Sequence, residues 1–327
     1  MKLISCLIIF TFISFFSFSQ VNSRTYISKL DTNPEVPIVK FNQLWTLSMP
    51  FTHKEFQFHI INHETGHSIV LLPHSKTTIG LNIIHKWFGL GISFGLRQSD
   101  EDIRRYGKTK QFDFQLNSYM RSVIFDFRIQ AYKGFYRAEV PPAPDGSYPQ
   151  SPDFSTYSLG GNLLFFTNKA FSYKAAYTRS EIQLKSAGSF NYGLYADMDG
   201  AKSPDAFSSL KIEEWPGEFN LLSYHSGGFG LVVGYAYTFV IKRFFFFNLS
   251  FSPKFGMRYL TYRLANQKTK FRLIGSGGAI VRMAIGYEGK YLFYGLSAVS
   301  QSNTYSQKSY EIKPVSYYGK LYVGMRF

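Results

Sequence analysis

The chain has 327 residues, a formal charge of +15, and 19% aromatic side chains that include 34 Phe and 24 Tyr. A mean hydropathy of −0.12, with no run after residue 20 approaching the ~18 apolar residues a spanning helix needs, excludes a helical membrane protein. The single cysteine, Cys6, excludes a disulfide framework and a cysteine metal site.

The N-terminus reads as an export signal. Lys2 precedes an apolar stretch from Leu3 to Phe16, and the small-residue pattern Ser17-Phe18-Ser19 precedes Gln20. Cleavage after Ser19 is expected, so residues 1–19 form a signal peptide. Cys6 sits ahead of most of the apolar stretch, where a lipoprotein cysteine would follow it. Removing Lys2 takes the charge from +15 to +14. For an exported chain this balance points to outer-membrane lipid and acidic lipopolysaccharide headgroups, or to anionic solutes, and not to nucleic acid. Scattered solvated lysines are the plainer alternative.

Residues 20–53 read as a periplasmic lead-in with Pro34 and Pro37. Within it Val39, Phe41, Trp45, Leu47 and Met49 keep odd-numbered spacing, as the lower part of a first strand or as a small inward segment. From residue 54 to 327 the period is two. Twelve strands are predicted at 54–62, 67–84, 87–96, 109–119, 122–133, 154–166, 170–195, 226–241, 244–262, 271–287, 290–301 and 314–327. In the fifth, Val123, Phe125, Phe127 and Ile129 alternate with Asp126, Arg128 and Gln130. In the eighth, Phe229, Leu231, Val233, Tyr235, Tyr237 and Phe239 alternate with Gly230, Gly234, Ala236 and Thr238. One face suits hydrocarbon and the other a polar interior, which is the pattern of a transmembrane antiparallel β-barrel.

The connections alternate in length. Tight turns are expected at His85-Lys86, Met120-Arg121, Thr167 to Lys169, Lys242-Arg243 and Glu288-Gly289. Longer loops are expected at 97–108, 134–153, 196–225, 263–270 and 302–313. Short periplasmic turns and long external loops produce this order, provided 170–195 is one long strand with a bulge near Ser186-Ala187-Gly188. The first connection, His63 to Gly66, is short yet external. Pro141 to Gly146 marks a stiff external loop. The closing strand, Val315 to Phe327, ends on an outward aromatic, so Phe327 is the candidate signal to the barrel-assembly machinery.

The sequence resembles the outer-membrane protein family catalogued as domain of unknown function 4421. The resemblance lies in Lys86 to Leu96 (KWFGLGISFGL), Gly107 to Asp113 (GKTKQFD), Phe171 to Tyr177 with Lys185 to Phe190 (FSYKAAY and KSAGSF), and Gly234 to Phe246 (GYAYTFVIKRFFF). It covers most of the mature chain, implies a barrel in a Gram-negative-type cell outer membrane, and implies no chemistry.

His63-Glu64-Thr65-Gly66-His67 is a literal H-E-x-x-H, but the zinc-peptidase motif needs a helix to place both His on one face. Alternating segments flank it, and Thr65-Gly66 reads as a turn, so no metal site is expected. Six of the seven histidines, His53, His59, His63, His67, His74 and His85, fall in the first third, spread over both ends of two strands. His225 and Ser226 are adjacent and so point to opposite faces, which leaves a rim hydrolase as the weakest reading. Asp197, Asp199, Asp205, Glu213 and Glu214 read as a solvated acidic loop. No catalytic residue, cofactor or metal is expected.

By alternation Asp113, Asp126, Arg128, Lys254, Arg258, Arg282, Lys320 and Arg326 face the lumen. A twelve-stranded ring has a backbone diameter of roughly 24 Å, from ~4.8 Å strand spacing and ~40° tilt. The expected function is a narrow channel for small, anionic solutes. The alternative is a closed structural or partner-binding barrel whose inward acids and bases pair across the bore.

Overall fold

Period-two sequence becomes strand throughout the structure, a computed structural model that describes residues 37–40, 45–63, 66–74, 76–85, 88–120, 122–204, 221–264, 269–289, 291–306 and 310–327. In chain order the first elements are β1 (Ile38–Lys40), β2 (Trp45–Asn62), β3 (Ser68–Leu72), β4 (Lys76–His85), β5 (Phe88–Gly95), α1 (Asp100–Tyr106) and β6 (Lys110–Tyr119). The middle of the chain forms β7 (Val123–Arg137), β8 (Gln150–Phe166), α2 (Tyr173–Tyr177), β9 (Glu181–Gln183) and β10 (Ala187–Lys202). The rest forms β11 (Leu221–Ile241), β12 (Phe245–Leu264), β13 (Lys270–Glu288), β14 (Leu292–Ser306) and β15 (Tyr310–Arg326).

The last strand closes the barrel. β15 pairs antiparallel with β2 from Tyr310↔Asn62 to Arg326↔Thr46, and Trp45 and Phe327 exchange backbone hydrogen bonds of 2.8 and 3.0 Å. The closed ring holds ten strands: β2, β3, β7, β8 and β10 to β15. Its backbone diameter is roughly 20 Å, by the same spacing and tilt. The outward positions of β11 and β12, such as Phe229, Leu231, Val233, Phe251 and Phe255, are exposed and apolar, while their inward neighbours Val232, Ser252 and Lys254 are buried. On β2 the outward face changes from Trp45, Leu47, Met49 and Phe51 to His53, Glu55, Gln57 and His59. The upper half of the wall therefore stands beyond the apolar belt.

The expected twelve-strand ring is corrected to ten because the wall forks. β3 and β4 are one run interrupted at Pro73-His74, where proline supplies no ladder N–H. β3 pairs with the upper part of β2 and reaches β7 at Leu71↔Arg137 and Leu72↔Tyr136. β4 pairs with the lower part of β2, β5 hangs on β4, and β6 hangs on β7. No β5–β6 pairing occurs among the described residues. The His74 N–H donates to Thr109 Oγ1 (2.9 Å), and that hydroxyl donates to the Gly134 carbonyl (2.9 Å), which pins the branch point. Gly134 sits there at φ +89, and a Cβ would lie 2.2 Å from the Lys108 carbonyl oxygen.

Four further expectations change. The first strand, expected at 54–62, begins at Trp45, in line with one of the two alternatives for the lead-in, because its outward Trp45 to Phe51 continue the belt. The stretch 170–195 is not one strand, since residues 167–186 fold inward as α2 and β9. Phe171, Tyr173, Ala175 and Ala176 are all buried, with no outward face left for lipid, and Ser172 caps α2 by accepting from the Ala175 N–H. β9 pairs with β1, which makes Ile38–Lys40 the small inward segment. Loop 97–108 carries α1, whose Ser99 donates to Asp102 and holds that carboxyl below its usual range. The box therefore loosens as pH falls through that depressed value. Finally, β10 runs to Lys202, so Asp197 and Asp199 belong to the wall and not to a loop. Residues 1–19, most of the lead-in, Glu64, Asp205, Glu213 and Glu214 lie outside the described residues.

Ladder amides protected on both sides exchange slowly, and edge amides do not. Hydrogen exchange of the folded barrel in micelles is expected to be slowest in β11, β12 and β13, and fastest in β5 among the wall strands.

Candidate functional site

The described side chains of the lumen form three layers of different chemistry. The outer layer is apolar and comes from the wall itself: Phe56, Phe58, Ile69, Leu71, Phe154 and Leu260 are among its buried members. Phe58 on β2 stacks on Tyr224 of β11 at 5.9 Å between ring centroids. β11 lies five strands from β2 in the ring, so opposite walls touch.

The middle layer is polar. Arg258 on β12 donates to Asp199 Oδ1 at 2.7 Å and to Ser226 Oγ at 2.6 Å, and it also pairs with Asp197. Tyr224 Oη donates to Asp199 Oδ2 at 3.0 Å, and Tyr305 shares that carboxylate. Lys254 donates to Asn303, whose Nδ2 donates to Asp197 Oδ2 at 3.0 Å. Two cations thus face two carboxylates with no bulk water to solvate them. Here breaking one partner costs more than the pair contributes. Beside this cluster Arg282 of β13 pairs with Asp126 of β7, again five strands away, and donates to Tyr173 Oη at 3.4 Å.

The inner layer is the 167–186 insertion. Tyr173 and Tyr177 stack at 4.6 Å, and Tyr177 Oη donates to Asn248 Oδ1 at 3.0 Å. Arg326 clamps the insertion to the wall. It donates to Glu288 Oε2 at 2.6 Å, to the Gly289 carbonyl at 2.7 Å and to the Arg179 carbonyl at 2.6 Å. The Arg179 guanidinium in turn lies 3.0 Å above the Tyr322 ring.

The eight lumen candidates divide by partner. Arg258, Lys254, Asp126, Arg282 and Arg326 sit in the clusters above. Asp113 pairs with Lys54 at 2.9 Å on the inner face beside the fork. Arg128 and Lys320 make no ion pair among the described residues. Asp126 Oδ1, Arg128 Nε and Gln301 Oε1 are buried without a hydrogen-bond partner. All three residues line one polar cavity of about 30 Å³, behind β6. A buried cavity that size with three polar groups to serve has room for ordered water.

Sequence reasoning missed Asp197, Asp199, Glu288, Asn303, Tyr224 and Tyr305. A signal existed for the first two: Asn191, Gly193, Tyr195, Asp197 and Asp199 keep one parity, and the inward series of β10 continues through them. The remaining motifs separate. His63 lies in the β2–β3 turn, where Gly66 N–H donates to the Asn62 carbonyl, and not on a helix. His53 contacts Thr77, His74 stacks on Tyr106 and His85 stacks on Trp45, so these histidines do not converge. No three His, Cys, Asp or Glu gather for a metal among the described residues. His225 faces outward to the Tyr157 hydroxyl at 3.0 Å, while Ser226 faces inward to Asp199 at 3.2 Å.

A family model described as domain of unknown function (DUF4421) matches residues 31–327. The chain belongs to the DUF4421 family. No curated protein matches this DUF4421 chain. Among solved structures it is similar to the outer membrane protease OmpT of Escherichia coli, at 8% identity and a TM-score of 0.38 over 88% of this chain and 98% of that one. It is also similar to the P. putida toluene transporter TodX, at 7% identity and a TM-score of 0.25 over 87% and 90%. A third is the Ralstonia pickettii toluene transporter TbuX, at 8% and 0.26 over 87% and 90%.

Replacing Arg258 by Ala strands two buried carboxylates, and the folded barrel is expected to lose about 3–5 kcal/mol. Urea titration of refolded protein in micelles measures this. Adding Asp197→Asn and Asp199→Asn to the same chain is expected to restore most of the loss.

Proposed function

We propose that this protein is an outer-membrane barrel, closed along its axis, that serves as a structural or partner-binding element and not as an open pore or an enzyme. The observation that carries this reading is contact between opposite walls at two heights, Phe58 with Tyr224 and Asp126 with Arg282. A ring of roughly 20 Å leaves a narrow bore once side chains are counted, and here the side chains meet in the middle. The outer-membrane part of the reading is supported by the exposed apolar belt around a closed ring. Phe327 is the residue we assign to recognition by the barrel-assembly machinery. A hydrolytic role has no support at the rim, since His225 and Ser226 face opposite sides of the wall.

One observation favours a gated channel as the second reading. The 30 Å³ cavity with its unpartnered Asp126, Arg128 and Gln301 atoms lies in the lumen behind β6. Passage of a small anionic solute would then need the Arg282–Asp126 contact to part, together with the apolar layer above it.

Planar-bilayer conductance of the refolded mature protein separates the two. The wild type is expected to be silent in anion and cation gradients, while heat-modifiable migration in gels reports a folded barrel. Asp126→Asn combined with Arg282→Gln is also expected to be silent, because the Phe58–Tyr224 layer still blocks the axis. Discrete steps from the wild type would overturn the closed reading, and steps from the double variant alone would establish the gated one.

A further inference from the structure

The outer wall carries an apolar groove of about 880 Å³ across β7, β8, β10, β11, β12 and β13. Its shape follows from the register. One row of outward residues runs Phe127, Gly161, Ala196, Phe229 and Met257, and the row above runs Leu159, Met198, Gly227 and Tyr259. The floor steps diagonally through Gly161, Ala196 and Gly227, where the side chains are short or missing, and the larger residues on either side form its banks. Tyr157, Gly200, His225 and Thr261 form the next row. There the Tyr157 hydroxyl meets His225, which marks a polar border to the belt.

One row higher the outward positions are Lys133, Ser155, Lys202, Ser223 and Arg263. Lys133 is held by Asp153 at 2.9 Å. Lys202 and Arg263 are exposed and make no ion pair among the described residues. Two strand spacings separate them, roughly 10 Å between backbones, which their long side chains span easily. Along β11, Ser223 in their row stands four residues above Gly227 in the groove, roughly 13 Å of strand, or ~10 Å of height at ~40° tilt. An acyl chain in the groove would place a phosphate of its headgroup at that level.

We propose that this face is a binding site for lipopolysaccharide, with an acyl chain in the Gly161–Ala196–Gly227 groove and a lipid A phosphate held by Lys202 and Arg263. The inference rests on the outer-membrane reading above, which puts the long-loop end of the barrel in the outer leaflet. Charge complementarity selects the occupant: a neutral or zwitterionic lipid would fill the groove and leave both cations unanswered, and a bare phosphate would leave the groove empty. All the residues point outward, so the site is independent of the lumen.

The test is native mass spectrometry of the refolded, heat-modifiable barrel released from micelles containing hexa-acyl lipid A, with phosphatidylglycerol as the competing phosphate-bearing lipid. One lipid A is expected to stay bound to the wild type. Lys202→Ala with Arg263→Ala is expected to weaken its retention roughly 30-fold, since each basic group at an anionic surface contributes roughly a fivefold step. Ala196→Trp, which fills the floor from the lipid side, is expected to reduce retention with both cations intact. Equal retention by wild type and both variants overturns the site, as does phosphatidylglycerol binding as tightly at the same residues. Insertion into liposomes is measured in parallel. A wild type that inserts but holds lipid A independently of these residues refutes the site alone, whereas one that fails to insert refutes the outer-membrane reading.

Discussion

Hydrocarbon offers no hydrogen bond to a peptide group, and each unsatisfied N–H or C=O within it costs several kcal/mol. A strand-built wall meets that constraint only by closing, and the pairing of β15 with β2 along its length is where this chain does so. The outward apolar series, the inward polar series and the backbone bonds between Trp45 and Phe327 all follow from it. The constraint is met least well at the fork. β5 and β6 each keep one edge without a partner among the described residues, and both pair at belt height with the lower parts of their neighbours. The polar cavity and the unpaired Arg128 lie behind that same stretch of wall.

Closure fixes the interior as firmly as the exterior. A ten-strand ring is only slightly wider than the eight-strand rings that side chains fill, and here opposite walls come into contact at Phe58–Tyr224 and Asp126–Arg282. Charges drawn inward by the period-two rule cannot stay solvated, so Arg258 finds Asp197 and Asp199, Arg282 finds Asp126, and Arg326 finds Glu288. Such pairs add little net stability over an apolar core, and their effect is to fix which walls meet. Because Arg282 also reaches Tyr173, the middle layer and the inner insertion share one cation.

The two faces of the wall carry separate chemistry. Inside, most of the described charged groups pair with one another. Outside, Lys202 and Arg263 stand above an apolar groove and make no ion pair among the described residues. Such a surface acts independently of whether the bore conducts.

Much of the architecture was legible in the sequence because a barrel strand has to alternate. The ladders β7, β8, β11, β12, β13, β14 and β15 lie close to their expected positions, and the parity that turned Asp126, Arg258 and Arg282 inward is a local property of each strand. What alternation cannot express is which strand lies across the ring. It gave no sign that Arg282 would meet Asp126 from the far wall, or that Glu288 would be shared by Arg326 and Arg179. The acidic series at Asp197 and Asp199 reads, with Asp205, Glu213 and Glu214, as a solvated loop, whereas the pairing of β10 with β8 and β11 carries it into the wall. The 170–195 stretch failed for a related reason: a segment buried on every side has no exposed face to set its period. By itself the sequence determined that the wall is built from two-faced strands, since that depends on neighbours two residues apart. The tertiary structure alone decided the ten-strand ring, the fork at Pro73-His74 and the contacts between opposite walls, since these depend on residues far apart in the chain.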